Sequence, residues 1–192
     1  MVIETAKEIN KMIKDVIDNL DDEQVDEFLK KIGRSRTIFF VGAGRSGLVA
    51  KSFAMRLMHL GFNVYVVGET ITPSVKKGDL VIAISGSGKT TSTLAVVETA
   101  KKLGITVATI TSFPDSPIAK LSDVVVVIKG RIEGGKKDYI SGQLTGVHEP
   151  LTPLGSLFEL STMIFLDAII TKLMKIFRED EKDLKNRHTN LE

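Results

Sequence analysis

Apolar positions follow two different periods along this chain. Residues 3–18 and 22–32 read as amphipathic helices, the first with Ile9, Met12, Ile13, Val16 and Ile17 on one stripe. From residue 37 short β-branched runs take over, at 37–41, 63–67, 80–84, 106–110 and 124–128. Helical stretches lie between them at 46–60, 91–103 and 116–121. This alternation predicts an α/β fold of three layers, a parallel sheet with helices on both faces. The runs are almost continuously apolar, as strands buried on both faces must be. A polar, glycine-rich segment covers 129–152, and Pro153 then opens a long apolar helix reaching residue 177. The charged tail reads REDEKDLKNRHTNLE.

No repeat, low-complexity tract or linker divides the sequence. One domain is expected over 1–192, with N-terminal helices at 1–33, a sheet core at 34–130, and C-terminal helices and tail at 153–192. In an open parallel sheet, ligands bind beyond the carboxyl ends of the strands near the switch in strand order. The loops after Val41, Val67, Ile84 and Ile110 are therefore the places to look for chemistry.

Composition narrows the choice. The formal charge is +2 and the basic residues are dispersed, without a stripe interleaved with aromatics, which argues against nucleic acid. No apolar run is long enough for a membrane span, and the N-terminus MVIETAKEIN has no secretory pattern. There are no cysteines, so disulfides, thiolate metal sites and cysteine nucleophiles are all excluded. A cytoplasmic location is the expectation.

Two glycine loops carry the candidate chemistry. The loop after Ile84, ISGSGKT, suggests a nucleotide P-loop but lacks its first glycine: Ala83 stands five residues before Gly88. What remains is a strand, a tight turn and a helix start surrounded by Ser85, Ser87 and Thr90. Free N–H groups at a helix start, with added hydroxyls, suit a phosphate monoester. Lys89 adds charge or lies in solvent, and the alternative is a merely capped turn. The loop after Val41, GAGRSG, fits G-x-G-x-x-G with Gly42, Gly44 and Gly47. A dinucleotide site needs an acid on the ribose, and Glu69 comes somewhat late for it. The glycines are equally explained by close helix–strand packing.

Together the two loops resemble the SIS (sugar isomerase) domain family, whose members bind phosphosugars on a parallel sheet. The stretches VGAGRSGLVAKSFAMRLMHLGF, VGETITP and ISGSGKTTST and the ending RHTNLE are similar to the 6-phospho-3-hexuloisomerases of that family. The resemblance runs from about Thr37 to Glu192 and implies a five-stranded sheet in flavodoxin-like order 2-1-3-4-5. It also implies an isomerase that interconverts D-arabino-3-hexulose 6-phosphate and D-fructose 6-phosphate through a cis-enediol, in a ribulose monophosphate pathway. The phosphate would be held by Ser85, Ser87 and Thr90 and by the backbone around Gly86, Gly88 and Lys89. Ser46, beside Gly44, would touch the sugar. Arg45 would bind a sugar oxygen or an acid of another subunit. No metal and no cofactor are implied.

Enediol chemistry needs a base and a partner acid. Glu159, in PLGSLFELSTMIFLDAII, stands among apolar and small residues. Carboxylates in such surroundings cluster at functional sites, and the resemblance points to the same glutamate. The bland reading is a residue on an exposed stripe. Of the three histidines, His59 ends a helix and reads as a cation or cap there, and His148 as a solvated loop residue. His188 lies in the charged tail, yet the resemblance makes it a proton shuttle, commonly supplied by a neighbouring subunit. The 153–177 helix, apolar nearly all round, calls for cover on two sides, so a homo-oligomer (dimer or tetramer) is expected. Three alternatives stay open. They are another phosphosugar aldose–ketose isomerase such as an arabinose 5-phosphate isomerase, a non-catalytic phosphosugar-binding regulator, and a dinucleotide-dependent enzyme.

Overall fold

The computed structural model describes residues 1–130 and 156–190. Two helices open the chain, α1 (Val2–Asp18) and α2 (Asp22–Arg34), followed by β1 (Ile38–Gly42), α3 (Gly44–His59), β2 (Val64–Val66) and β3 (Leu80–Ile84). Then come α4 (Thr91–Lys102), β4 (Thr106–Thr111), α5 (Pro117–Leu121) and β5 (Val124–Val127). The long helix α6 (Ser156–Phe177) and a short α7 (Glu181–Asn186) complete the description. All strand pairs are parallel, in the order β2-β1-β3-β4-β5 that the resemblance implied. Pro153, where the long helix was expected to begin, the polar segment from 131 to 152 and His148 lie outside the described residues.

Alternation along the strands sends side chains into two cores. Ile38 and Phe40 face one core with Phe28, Phe53, Phe158 and Phe165 of α2, α3 and α6. Phe39 and Val41 face the other, with Val97 and Ala100 of α4 and Ile118 of α5. The fold is a three-layer α/β sandwich. β3 is buried at every position, whereas β2 is an edge strand of three half-buried residues, shorter than the expected 63–67 run. Helix α6 lies against α3, with Arg45 meeting Glu159 near both N-termini and His59 near Ile170 and Thr171 further along. The two helices therefore run in the same direction.

Gly42 pairs with Ile84 in the β1–β3 ladder, so the two glycine loops leave adjacent strands side by side at one edge. α3 starts two residues earlier than its periodicity suggested, which places Arg45 and Ser46 in its first turn. That early start depends on glycine. A Cβ on Gly47 would sit 2.8 Å from the Gly42 carbonyl oxygen, and one on Gly42 would sit 3.0–3.1 Å from backbone atoms of Ser46, Gly47 and Ile84. Packing thus explains Gly42 and Gly47, the φ of +56° explains Gly44, and Glu69 pairs with Lys51 (2.6 Å).

Candidate active site

The hydroxyl-rich loop is held from beneath by β4 and the turn after it. The Ser85 N–H donates to the Ile110 carbonyl (3.0 Å), the Ser112 N–H to the Gly86 carbonyl (3.2 Å), and the Ile118 N–H to the Gly88 carbonyl (3.1 Å). Gly88 has φ +59°, and a Cβ there would stand 2.0 Å from the Ser116 Oγ. Only glycine makes this turn without displacing a neighbour. The Ser85 hydroxyl, itself buried, lies 3.3 Å from the Thr90 hydroxyl, and Ser87 Oγ accepts from the Lys89 N–H (3.2 Å). Lys89 is exposed.

The hydroxyls leave α4 itself uncapped, although Ser87 caps the turn before it. Thr90 is the N-cap of α4, but no side chain caps that helix. The first N–H groups of α4 are left for another acceptor. Ala43, the N-cap of α3, likewise provides no side-chain cap. Elsewhere caps are used: Asp21 accepts from Glu23 and Gln24 N–H groups, Ser116 from Ala119, and Asp180 from Lys182 and Asp183. The two helices that start at the glycine loops are thus left open at their positive ends. Thr93, in the first turn of α4, is 1% exposed and its hydroxyl has no partner among the described residues.

Glu159 lies in the first turn of α6 and is 7% exposed, which removes the exposed-stripe reading. The Arg45 Nε donates to its Oε2. A buried carboxylate needs such a partner, because the cost of desolvating a lone charge is large. The acid that Arg45 meets in this structure is Glu159 of its own chain. Arg45 remains more than half exposed, free to swing. Close packing brings α6 here: a Cβ on Gly130 would sit 2.2 Å from the Cα of Phe158.

His188 is not at this site in its own chain. Its ring packs on His59, centroids 4.9 Å apart and tilted by 35°. His59 is the last residue of α3, fourteen helical steps from Arg45, about 21 Å at ~1.5 Å per residue. The tail is fixed there. Arg187 donates from Nη1 to the His59 carbonyl oxygen (3.1 Å) and pairs with Glu179 (2.7 Å). His59 itself corrects the expectation of a helix-end cation. Burial pushes its imidazole below the usual range, and His188 and Arg56 push the same way, so the ring is held neutral. Arg187 satisfies the helix-end carbonyl in its place. Neither the Arg45–Glu159 pair nor the His59–His188 pair has a sequence signal, since each joins distant segments. No cluster of three or more His, Asp or Glu among the described residues is placed to hold a metal ion, and no described helix is long and apolar enough to cross a membrane.

A five-stranded parallel sheet with helices on both faces and two glycine turns side by side at its strand ends defines a doubly wound α/β protein. The chain belongs to the SIS domain family, whose model matches residues 31–142. It is 44% identical to the 3-hexulose-6-phosphate isomerase of Bacillus subtilis, over 90% of this chain and 89% of that protein. It is 39% identical to the enzyme of the same name from Mycobacterium gastri, over 94% of this chain and 86% of that one. Among solved structures it resembles a Methanococcus jannaschii protein whose structure was taken to infer a molecular function of 3-hexulose-6-phosphate isomerase. That match has a TM-score of 0.76 and 35% identity, and covers 99% of this chain and 98% of that one.

Proposed function

We propose that the chain is an isomerase that interconverts D-arabino-3-hexulose 6-phosphate and D-fructose 6-phosphate. The relatives of that activity span nearly the whole chain, and one observation in the fold carries the reading. An uncapped helix start ringed by Ser85, Ser87 and Thr90 lies on the strand next to the one that delivers Arg45 and its buried partner Glu159. The first group binds an anion, and the second supplies a base.

The phosphate accepts from the backbone of Gly86, Gly88 and Lys89 and from the hydroxyls of Ser85, Ser87 and Thr90, while Gly44 and Ser46 border the sugar. Glu159 takes the proton from C2 of the 3-ketose, the C3 carbonyl becomes an enediol hydroxyl, and the proton returns at C3 as the C2 oxygen becomes the new carbonyl. The two carbons are bonded neighbours, so one carboxylate serves both. Substrate draws Arg45 from Glu159 to a sugar oxygen and so frees the base. His188 moves the proton between the two oxygens. Its place at the far end of α3 supports its coming from a neighbouring subunit. Exposed apolar residues on the parallel pair α3 and α6, Leu48 and Met55 with Leu160 and Ile164, are the surface a second copy would cover. The assembly is a dimer or a tetramer of closed symmetry. Phosphorylated hexuloses are cytosolic metabolites by their charge, which suits a cytoplasmic enzyme.

A panel of phosphosugars tests this directly. D-arabino-3-hexulose 6-phosphate should yield fructose 6-phosphate, and arabinose 5-phosphate should yield little ribulose 5-phosphate. The reverse preference would make the chain a different isomerase, and turnover of neither would make it a binding protein.

A further inference from the structure

We infer that His59 is a positioning residue for catalysis: it is the mount on which His188 is presented to the neighbouring subunit's active site. The inference rests on the proposal that His188 acts in trans and adds to it a residue in the same chain as His188. The two rings are in contact at 4.9 Å between centroids, and they differ in what surrounds them. His59 is 3% exposed and anchored in α3, whereas His188 is exposed and belongs to the tail. Tail histidines on a flexible segment lose catalytic power through the entropy of being brought into line. Here that freedom is removed from both sides. Arg187 ties the preceding backbone to the His59 carbonyl oxygen, and the His59 ring backs the His188 ring.

The surroundings favour a mount over a second shuttle. Arg56 of α3, Asp167 of α6, and Glu181 and Lys185 of α7 line a cavity of about 460 Å³ together with the two histidines. The body of the fold contributes one cation and one acid to it, Arg56 and Asp167, so it gives the tail no strong net charge to follow. Orientation must then come from ring packing and from the Arg187 clamp. Burial and the neighbouring cationic groups also keep His59 uncharged near neutral pH, so it does not repel a His188 that gains a proton during turnover.

The test uses mixtures of full-length variants, each pair dissociated and reassembled, with subunit exchange verified. The control is His188→Ala with Glu159→Gln, which should regain about a quarter of wild-type activity for randomly re-formed dimers. His59→Ala should lower kcat by about 10- to 100-fold with KM within twofold, the cost of a catalytic group out of line. Mixed with Glu159→Gln it should regain activity like the control. Mixed with His188→Ala it should not, because no chain in that mixture carries both histidines. His59→Phe, which keeps a ring against His188, should recover at least half of the lost kcat. Recovery of His59→Ala by His188→Ala would overturn the inference by placing His59 with its own chain's Glu159. Wild-type kcat in His59→Ala, or recovery with neither partner while the control succeeds, would overturn it too, the latter marking a purely structural role. Failure of the control itself overturns action in trans, and the mount with it.

Discussion

Arg45 and Glu159 stand 114 positions apart in the chain and meet as an ion pair that joins the first turn of α3 to the first turn of α6. The carboxylate is buried and the guanidinium is more than half exposed, so the pair has a fixed end and a movable one. Arg45→Ala leaves the fixed end without its partner. The expected cost is about 1–2 kcal/mol in chemical denaturation, below that of a fully buried pair because water reaches the arginine. The kcat should also fall, by about tenfold or more, with Arg45→Lys intermediate because lysine keeps charge but not the guanidinium geometry. Unchanged stability and unchanged kcat in Arg45→Ala would show that the pair is incidental.

The hydroxyl loop predicts a different kinetic signature. Ser87→Ala and Thr90→Ala each remove a hydrogen bond to a charged ligand, about 1.5–3 kcal/mol, so KM should rise by about 10- to 150-fold with kcat changing less. Thr90→Ala should be the more severe, because Ser85 also loses its 3.3 Å neighbour. Steady-state kinetics checks this, and wild-type KM in both variants would move the phosphate elsewhere.

Gly88 and Gly104 separate backbone strain from steric conflict. Both have positive φ, +59° and +70°, but a Cβ on Gly104 meets nothing within 4 Å while one on Gly88 runs into Ser116. Gly104→Ala should cost about 1–2 kcal/mol for the left-handed backbone alone. Gly88→Ala adds overpacking and should cost about 3 kcal/mol or more, and should weaken substrate binding as the loop shifts. Equal losses in thermal melts would contradict the packing seen around Ser116.

His59 makes stability depend on pH in a defined direction. Its folded pKa lies below the ordinary value of 6.5, through burial first and then through His188 and Arg56. The unfolded chain therefore takes up this proton first on acidification. The contribution is fully present above about pH 6.5 and is lost as pH falls through the folded value. Denaturation midpoints measured between pH 7.5 and 5.5 should fall less steeply in His59→Phe than in the wild type. Parallel curves would mean that the ring titrates alike in both states.

What could be read from the sequence was set by local physics. The β3 run Leu80–Ile84 is apolar at every position, and it is buried at every position. The loop after it could be separated from a P-loop by one alanine, Ala83. The start of α3 is not legible locally because Gly44 reads as loop, whereas the contact between Gly42 and Gly47 that fixes the helix start is set by β1 and β3 packing. Glu159 could be singled out as a carboxylate in an apolar helix, but its arginine could not, because nothing local links Arg45 to a helix that begins more than a hundred residues later. The same holds for His59 and His188. A helix-end histidine and a tail histidine each have a plausible solvent-exposed role, and only the tertiary fold brings the two rings into contact.

The central claim is that Glu159 moves a proton between C2 and C3 of a phosphorylated hexulose. Fructose 6-phosphate incubated with enzyme in heavy water and followed by NMR tests it most directly. Reversible formation of the 2,3-enediol should wash deuterium into C3 of recovered fructose 6-phosphate, and Glu159→Gln should slow that exchange by about 10²- to 10⁴-fold. Deuterium at C1 would mean a 1,2-enediol and an aldose–ketose reaction, and exchange at C3 that proceeds at the wild-type rate in Glu159→Gln would remove the carboxylate from the mechanism.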